Sequence, residues 1–478
     1  MAGGDEGRTP AGRGRAGLAL GAVGVGLALI GAGVAARPDD APRVEVAAGT
    51  NRPVATPEGA GPGADPFTAW SSPVLVANPA RPEELVVAAR VERPQFGAGL
   101  ARSTDGGQRW SPVALPRPPG AAALYAPSAA FDEQGRLHVA FATLSQPANN
   151  PTGLWLASSA DGGASFSAPV AVAGAYAYQP RVAAGNGRVH VSFVQATDAV
   201  EAVSNGFGPP PNPVRVATSV DGGASFAAPV TASASGRSRV GAAAPVVAAG
   251  GSVLVLYTDY GDDAVDLQGL AGGTHQGRFA LVLARSRDGG ATFEEAAVVD
   301  DALVPAGRFN PYTPPFPSLA ADPEVDTVYA AWADARGGDL DVYVRRSDDA
   351  GGTWGAPVRV NPTTGADQHL PVLSVAVGGR VDVAYLDRSL GTGPMTAAAL
   401  ATSFDFGASW NAVALSDTTF DATVGPEAVG GGTDPGSFLG LASTRTAALA
   451  VWPDARAGTP DTGRRDLYFA PVRIAPET

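Results

Sequence analysis

The chain contains no cysteine and no lysine among its 478 residues, and it has only four histidines. Without cysteine, the fold has no disulfide, no thiolate metal site and no lipid anchor on a cysteine. All 33 basic residues are arginine, and the 46 acidic residues bring the net charge to −13. Such an acidic chain repels nucleic acid and anionic membrane surfaces, and neither is an expected partner.

One short pattern, Ser-x-Asp-x-Gly-x-x-(Trp or Phe), recurs six times at intervals of about 60 residues. Its aspartates are Asp105, Asp161, Asp221, Asp288, Asp349 and Asp405. The aspartate can accept hydrogen bonds from N–H groups just ahead of it, and the glycine can take a positive φ. The aromatic residue then starts the next strand. The pattern predicts a turn between two strands, locked by a structural aspartate, and its recurrence predicts a repeat architecture.

The residues between these turns also repeat. A segment of the form Gly-x-Val-x-Val-x-aromatic precedes most of the turns, as in residues 135–141 and 187–193. Its alternation has the period of a β-strand. A strand of small residues lies before this segment, one strand leads into the turn, and one follows it. Each unit is therefore expected to form four antiparallel strands, A to D, and the chain to be all-β.

The six turns resemble the Asp box, or BNR repeat, of sialidases and related β-propellers. The resemblance covers residues 43–474 and implies a β-propeller of four-stranded antiparallel blades. Counting units gives seven blades, with the six-bladed ring of sialidases as the alternative. The last unit, which ends near residue 469, has no turn and no strand D. Residues 43–47 resemble the D strands, and we expect them to pair there and close the ring.

The N-terminus differs in composition from the rest of the chain. Residues 1–15 form a basic region with three arginines, and residues 16–36 are uncharged. As a helix, the uncharged segment is long enough to cross a bilayer. It is expected to be a signal peptide or a membrane anchor, followed by a linker over residues 37–42. Either alternative predicts an exported protein that meets a membrane only through this segment.

Candidate site residues lie at the ends of the B strands and in the D–A loops, which share one face of a propeller. Trp332-Ala-Asp334-Ala-Arg336 and Trp452-Pro-Asp454-Ala-Arg456 both end a strand B. In one interpretation the aspartate caps the strand and pairs with the arginine. In the other, Arg336 and Arg456 point to the central axis and bind an anionic substrate, because a guanidinium fork matches a carboxylate.

The family resemblance implies further roles. Sialidases use three arginines for the substrate carboxylate, a tyrosine nucleophile paired with a glutamate, and an aspartate as acid/base. The matching candidates here are Tyr312 with Glu427 as the pair, Asp334 as the acid, and Arg181, Arg308, Arg336 and Arg456 for substrate binding. The implied function is an exported exo-α-sialidase, a glycoside hydrolase of terminal acidic sugars.

Other functions stay open because the chain has no Arg-Ile-Pro motif early in the propeller. The alternatives are a non-catalytic cell-surface propeller that binds glycan or protein, and a scaffold for an envelope complex. The expected partner is a glycan or glycoconjugate, with a surface protein as the alternative, and the protein is expected to be a monomer. No cofactor is required. The acidic segment from Asp259 to Asp266 is a candidate for Ca²⁺, with a plain solvated loop as the alternative.

Overall fold

A computed structural model describes residues 44–54, 67–197, 212–237, 239–261, 278–303, 316–426 and 436–476. These residues form β-strands and connections only, so the expected all-β class is confirmed. No helix long and apolar enough to cross a membrane occurs in these ranges. The predicted basic region, N-terminal hydrophobic helix and linker lie outside the described residues.

The strands form seven separate antiparallel sheets. The two N-terminal strands, which belong to the last blade, are β1 (Val44–Ala48) and β2 (Arg52–Pro53). Blade 1 contains β3 (Ala69–Ala77), β4 (Leu85–Arg93), β5 (Gly97–Ser103) and β6 (Ser111–Val113). Blade 2 contains β7 (Ala123–Phe131), β8 (Leu137–Leu144), β9 (Pro151–Ser159) and β10 (Val170–Ala173). Blade 3 contains β11 (Ala177–Gly185), β12 (Arg188–Gln195), β13 (Val214–Ser219) and β14 (Val230–Thr231).

The remaining four blades follow in chain order. Blade 4 contains β15 (Val240–Val247), β16 (Val253–Asp259), β17 (Arg278–Ser286) and β18 (Glu294–Leu303). Blade 5 contains β19 (Ser318–Ala321), β20 (Val328–Asp334), β21 (Asp341–Ser347) and β22 (Val358–Arg359). Blade 6 contains β23 (Gln368–Val375), β24 (Val381–Asp387), β25 (Met395–Ser403), β26 (Asn411–Ala414) and β27 (Phe420–Asp421). Blade 7 contains β28 (Gly440–Ser443), β29 (Ala447–Asp454) and β30 (Asp466–Pro476), together with β1 and β2.

The first strand of each blade lies at the centre of a ring. Strands β3, β7, β11, β15, β19, β23 and β28 each contact the next in that order, and β28 contacts β3. The chain is therefore a closed propeller of seven blades, as the number of repeats predicts, and the six-bladed alternative is wrong. Because strands within a blade are antiparallel, the A–B and C–D turns share one face, and the B–C and D–A loops share the other.

The N-terminal strand closes the ring, which confirms the expectation for residues 43–47. Strand β1 pairs antiparallel with β30, from Val44 opposite Pro476 to Ala48 opposite Val472. Beyond it, Asn51 connects this segment to its neighbours. Its Nδ2 donates to the carbonyl of Leu415 at 2.8 Å, and its Oδ1 accepts from Asp417 N at 2.9 Å and Arg456 Nη2 at 3.1 Å. The outer edge of blade 7 is thus covered rather than exposed.

Packing between neighbouring blades forms the hydrophobic core. The aromatic residues that end the Gly-x-Val-x-Val-x segments, Phe141, Phe193, Tyr257 and Tyr385, are fully buried. At the ring closure, Phe469 of blade 7 packs in one cluster with Trp70 and Leu75 of blade 1. Both faces of each sheet are covered in this way, because each blade packs on the blades to either side.

The repeated Ser-x-Asp pattern forms the C–D turn of the first six blades. In blade 3, Asp221 Oδ1 accepts from Ser219 Oγ at 2.7 Å and Ser225 N at 2.9 Å, and Ser219 Oγ accepts from Gly223 N at 2.8 Å. These bonds stabilise the carboxylate, the one from the Ser225 hydroxyl most of all, and they lower the pKa of Asp221 to about 2. The equivalent serine–aspartate bond is present at Asp105, Asp161, Asp288, Asp349 and Asp405.

The innermost strands carry a bulge at matching positions in several blades. Ser72, Ala126, Gln179 and Leu370 each have a φ between 48° and 53°, and each precedes a proline. The pairing register with strand B shifts at all four places. A positive φ is unfavourable for residues other than glycine, and bulges redirect the side chains around them. These bulges form the wall of a central cavity.

Candidate functional site

The central cavity has a volume of about 130 Å³ and is lined by residues from all seven blades. Its wall combines the bulged strand-A segments with two phenylalanines, Phe316 and Phe438, and two arginines, Arg90 and Arg181. The arginines are the charged members of the lining among the described residues. The cavity is therefore a mostly apolar space into which cationic groups are placed.

Arg181 lies on β11, two residues after the positive-φ residue Gln179. Its guanidinium Cζ is 4.1 Å from the ring centroid of Phe438, which is a cation–π contact. Its Nη1 is buried and has no hydrogen-bond partner, and Arg181 forms no ion pair with any described residue. Burial and the nearby Arg90 lower the pKa of Arg181 to about 10, so the side chain stays protonated at neutral pH.

Phe438 also contacts Phe316 across the cavity wall. The two ring centroids are 6.2 Å apart at an interplanar angle of 74°, an edge-to-face arrangement. The Phe438 ring is thereby held between a guanidinium on its face and a second aromatic ring. This packing fixes the position of the Arg181 head without neutralising its charge.

Arg90, on β4, is held by a dense set of contacts. Its Nε lies 3.2 Å from Glu92 Oε1 and donates to Ser71 Oγ at 3.2 Å. Its Nη2 donates to Ser437 Oγ at 3.3 Å and to the hydroxyl of Ser72. Unlike Arg181, this guanidinium is partnered on several sides. It contributes positive charge to the cavity but has less freedom to bind a ligand.

A tyrosine and a glutamate meet beside Arg90. The hydroxyl of Tyr125, on β7, donates to Glu92 Oε2 at 3.2 Å, while Glu92 Oε1 accepts from the Ser71 hydroxyl. Arg90 Cζ lies 5.8 Å from the Tyr125 ring centroid. A tyrosine becomes a usable nucleophile only when a neighbouring base takes its proton, and Glu92 is positioned for that. The formal charges of the cavity-lining Arg90 and Arg181 and of the adjacent Glu92 sum to one positive charge.

The motif that ends the B strands is a local structural unit. Asp334 is fully buried and accepts from Arg336 Nε at 2.7 Å, from Arg336 N at 3.0 Å and from Trp332 Nε1 at 3.2 Å. Asp454 has matching bonds with Trp452 Nε1 at 2.9 Å and Arg456 Nη2 at 2.7 Å. The first interpretation, in which the aspartate caps the strand and pairs with the arginine, describes both motifs.

The two arginines of these motifs contact neighbouring residues of their own surroundings in this structure, and the interpretation in which they point to the central axis stays a prediction. Arg336 Nη2 donates to the carbonyl of Asp301 at 2.7 Å. Arg456 binds Asp417 at 2.5 Å and its Cζ lies 4.1 Å from the ring centroid of Tyr468. Neither arginine lines the cavity, and neither does Asp334. Their assignment to substrate binding and acid catalysis stays a prediction.

Of the seven candidates for catalysis and substrate binding, Arg181 alone lines the cavity among those that the structure describes. Tyr312, Glu427 and Arg308 lie outside the described residues. So do residues 262–266 of the Ca²⁺ candidate, and Asp259 itself binds Arg237 at 2.5 Å. Within the described ranges, no group of three or more acidic or histidine side chains could hold a metal ion.

Sequence reasoning missed Arg90, Glu92, Tyr125 and Phe438. A usable signal was present in the chain, because a proline recurs in strand A as Ser72-Pro73, Ala126-Pro127, Gln179-Pro180 and Leu370-Pro371. The repeated proline marks the bulge that forms the cavity wall. Tyr125 directly precedes one of these pairs, and Arg181 directly follows another.

No protein-family model matches this chain, and no curated protein sequence matches it. Among solved structures, a protein of unknown function from Dyadobacter fermentans is 15% identical, with a TM-score of 0.48 over 91% of this chain and 100% of the other. Penicillium chrysogenum α-L-arabinanase is 14% identical, with a TM-score of 0.46 over 90% and 98% of the two chains. Fusarium graminearum GH93 α-L-arabinofuranosidase is 13% identical, with a TM-score of 0.45 over 89% of this chain and 98% of the other. Likeness at this level does not extend to activity or substrate.

Proposed function

We propose that this protein is an exported, carbohydrate-active β-propeller that binds the carboxylate of an acidic sugar in its central cavity. The observation that carries the proposal is the buried Nη1 of Arg181, which has no hydrogen-bond partner. A buried polar group without a partner is unfavourable, and more so when it is charged. A carboxylate supplies both the acceptor and the opposite charge.

The local charge supports an anionic ligand. The chain as a whole carries −13, yet Arg90, Arg181 and Glu92 give this part of the cavity one positive charge. A single carboxylate would neutralise it. Charge-assisted hydrogen bonds from arginine to a carboxylate are among the stronger interactions in proteins, at about 1.5–3 kcal/mol each. Export is part of the proposal and rests on the composition of residues 1–36.

A second candidate function is an exo-α-sialidase or related glycoside hydrolase, and the Tyr125–Glu92 contact supports it. In that mechanism Glu92 takes the proton of the Tyr125 hydroxyl as the phenolate oxygen attacks the anomeric carbon of the sugar. The bond from that carbon to the aglycone oxygen breaks, and the aglycone leaves with the electron pair and takes a proton from water. Glycosidases also need an acid to protonate the leaving group. Among the described residues that line the cavity there is no such acid, so binding is the better supported function.

Calorimetric titration tests the binding proposal. The ligands are N-acetylneuraminic acid and glucuronic acid, each compared with its neutral methyl ester. We expect the acids to bind to the wild type, the esters to bind at least roughly tenfold more weakly, and the Arg181→Met variant to lose the preference. Arg109→Met is the matched control, because Arg109 is 91% exposed in a turn on the opposite face.

The result separates the alternatives. No binding of either acid, or equal binding by wild type and Arg181→Met, would overturn the proposal in favour of a protein-binding or scaffold function. Turnover of a fluorogenic sialoside that is lost in Tyr125→Phe would establish the hydrolase. Binding without turnover would establish the non-catalytic propeller.

A further inference from the structure

We infer that Phe96 and Tyr125 form a second subsite at the mouth of the cavity, which binds the ring of the sugar whose carboxylate is bound by Arg181. This inference rests on the proposed function and extends it. It assigns a ligand-binding role to Phe96, a residue on an exposed loop that no sequence pattern singled out.

The size of the cavity requires such a subsite. The cavity has a volume of about 130 Å³. Pockets that enclose a whole small-molecule ligand measure about 300–1,000 Å³. The space therefore holds a carboxylate and the atoms next to it, while the six-membered ring and its substituents must lie outside, against whatever surrounds the opening.

Phe96 is connected to the cavity through Tyr125, whose ring lies 5.8 Å from the cavity-lining Arg90. It lies in the loop between β4 and β5, a B–C loop, on the same face of the propeller as the starts of the A strands. Its side chain is 38% exposed, and its ring centroid lies 5.1 Å from that of Tyr125 at an interplanar angle of 48°. Tyr125 directly precedes Ala126, which lines the cavity. The two rings therefore lie next to residues of the cavity wall, and we assign them to the mouth of the cavity.

The groups around this aromatic pair suit a sugar ring. A pyranose has an apolar C–H face, which packs on aromatic rings, and hydroxyls at its edge that need hydrogen-bond partners. Glu92 Oε2 accepts one bond from Tyr125 and has a lone pair left for a sugar hydroxyl. Arg90 lies on the same side.

Phe96→Ala tests the subsite, with Phe404→Ala as the matched control. Phe404 is 42% exposed, similar to Phe96, but belongs to a C–D turn on the opposite face. The ligands are N-acetylneuraminic acid and acetate, with acetate reporting on the carboxylate site alone. We expect Phe96→Ala to weaken binding of the sugar acid roughly three- to tenfold and to leave acetate binding unchanged. Phe404→Ala should change neither, and Phe96→Trp should retain sugar binding.

Failure of the subsite is distinguishable from failure of the proposed function. If Phe96→Ala binds the sugar acid as the wild type does, while Arg181→Met has lost it, the subsite is wrong and the carboxylate site stands. If Phe96→Ala weakens the binding of acetate and of the sugar acid equally, Phe96 stabilises the cavity and does not contact the sugar ring, and the inference is overturned. If the wild type binds neither ligand, both proposals fail.

Discussion

Arg181 and Phe438 form a stacked pair in the centre of the propeller, with the guanidinium carbon 4.1 Å from the ring centroid. The two residues come from blades that are not adjacent along the chain, and the contact lies at the wall of the cavity. A cation–π contact compensates only part of the loss of hydration of a buried guanidinium. In the proposed function, a bound carboxylate would relieve the remaining unfavourable energy.

Replacing Arg181 with methionine should therefore stabilise the unliganded protein. We expect the free energy of unfolding to rise by about 1–2 kcal/mol, because an unpaired buried charge is exchanged for an apolar side chain of similar length. Arg90→Met should have the opposite effect, a loss of about 2 kcal/mol or more, since it removes the ion pair with Glu92 and the hydrogen bonds to three serines. Denaturant unfolding measures both values, and a destabilised Arg181→Met would contradict the assignment.

Removing the N-terminal strand should open the ring. Deletion of residues 44–48 exposes the edge of β30 over the whole length of its pairing with β1. We expect a markedly lower melting temperature and aggregation through the free edge. Asn51→Ala, which removes the hydrogen bonds to Leu415, Asp417 and Arg456 but leaves β1 in place, should have a smaller effect. An unchanged melting temperature after the deletion would show that β1 does not close the ring.

Two neighbouring glycines of the first turn provide a test of blade packing. Both have a left-handed φ, 68° at Gly106 and 81° at Gly107. A Cβ on Gly106 would meet no atom within 4 Å, whereas one on Gly107 would lie 2.3 Å from Phe469 of blade 7. Gly106→Ala should thus lower the free energy of unfolding by about 1 kcal/mol, through strain of its backbone alone. Gly107→Ala should lower it by about 1–3 kcal/mol more, because its Cβ also meets Phe469. Equal effects in thermal unfolding would mean that the turn does not pack on the preceding blade.

The stability of the protein should fall below neutral pH because of buried histidines. Burial, followed by the charge of Arg188, lowers the pKa of His190 to about 4, while its Nδ1 bonds Thr218 Oγ1 at 3.0 Å. Between pH 6.5 and 4 the unfolded chain takes up a proton that the folded protein does not. Stability from this group is present above pH 6.5 and is lost toward pH 4, by up to about 3 kcal/mol.

His190→Gln isolates this contribution. Unfolding free energies measured from pH 7 to pH 4 should decrease less steeply in the variant than in the wild type. Part of the slope should persist, because burial also lowers the pKa of His138, and it lowers the pKa of His369 to about 3. Parallel curves for the two proteins would show that His190 does not contribute to the acid sensitivity.

The fold could be predicted from the sequence because its signals are local. The alternating segments that end at Phe141 and Tyr385 form B strands, and the serine–aspartate pattern forms C–D turns whose hydrogen bonds span four residues. Ring closure was also predictable, because an incomplete last unit leaves an open edge and the segment before the first blade has the composition of a D strand.

The candidate site was less accessible to such reasoning. Arg90 and Ser437 are 347 residues apart in sequence, and they meet because the ring brings the last blade beside the first. The Trp-Asp-Arg motif left a structural and a substrate-binding interpretation open in the sequence, and in the structure its aspartate bonds residues two positions away on either side. Recurrence in a propeller indicates a shared structural role. The residue after the recurring strand-A proline, in contrast, differs between blades: it is Ser128 in blade 2, Arg181 in blade 3 and Val372 in blade 6.

A crystal structure of the protein with bound N-acetylneuraminic acid tests the central claim most directly. We predict that the carboxylate occupies the central cavity with one oxygen within about 3 Å of Arg181 Nη1, a normal hydrogen-bond distance. The sugar ring should then lie toward Phe96 and Tyr125. An acid bound on another part of the propeller, or in the cavity with its carboxylate turned away from Arg181, would contradict the claim.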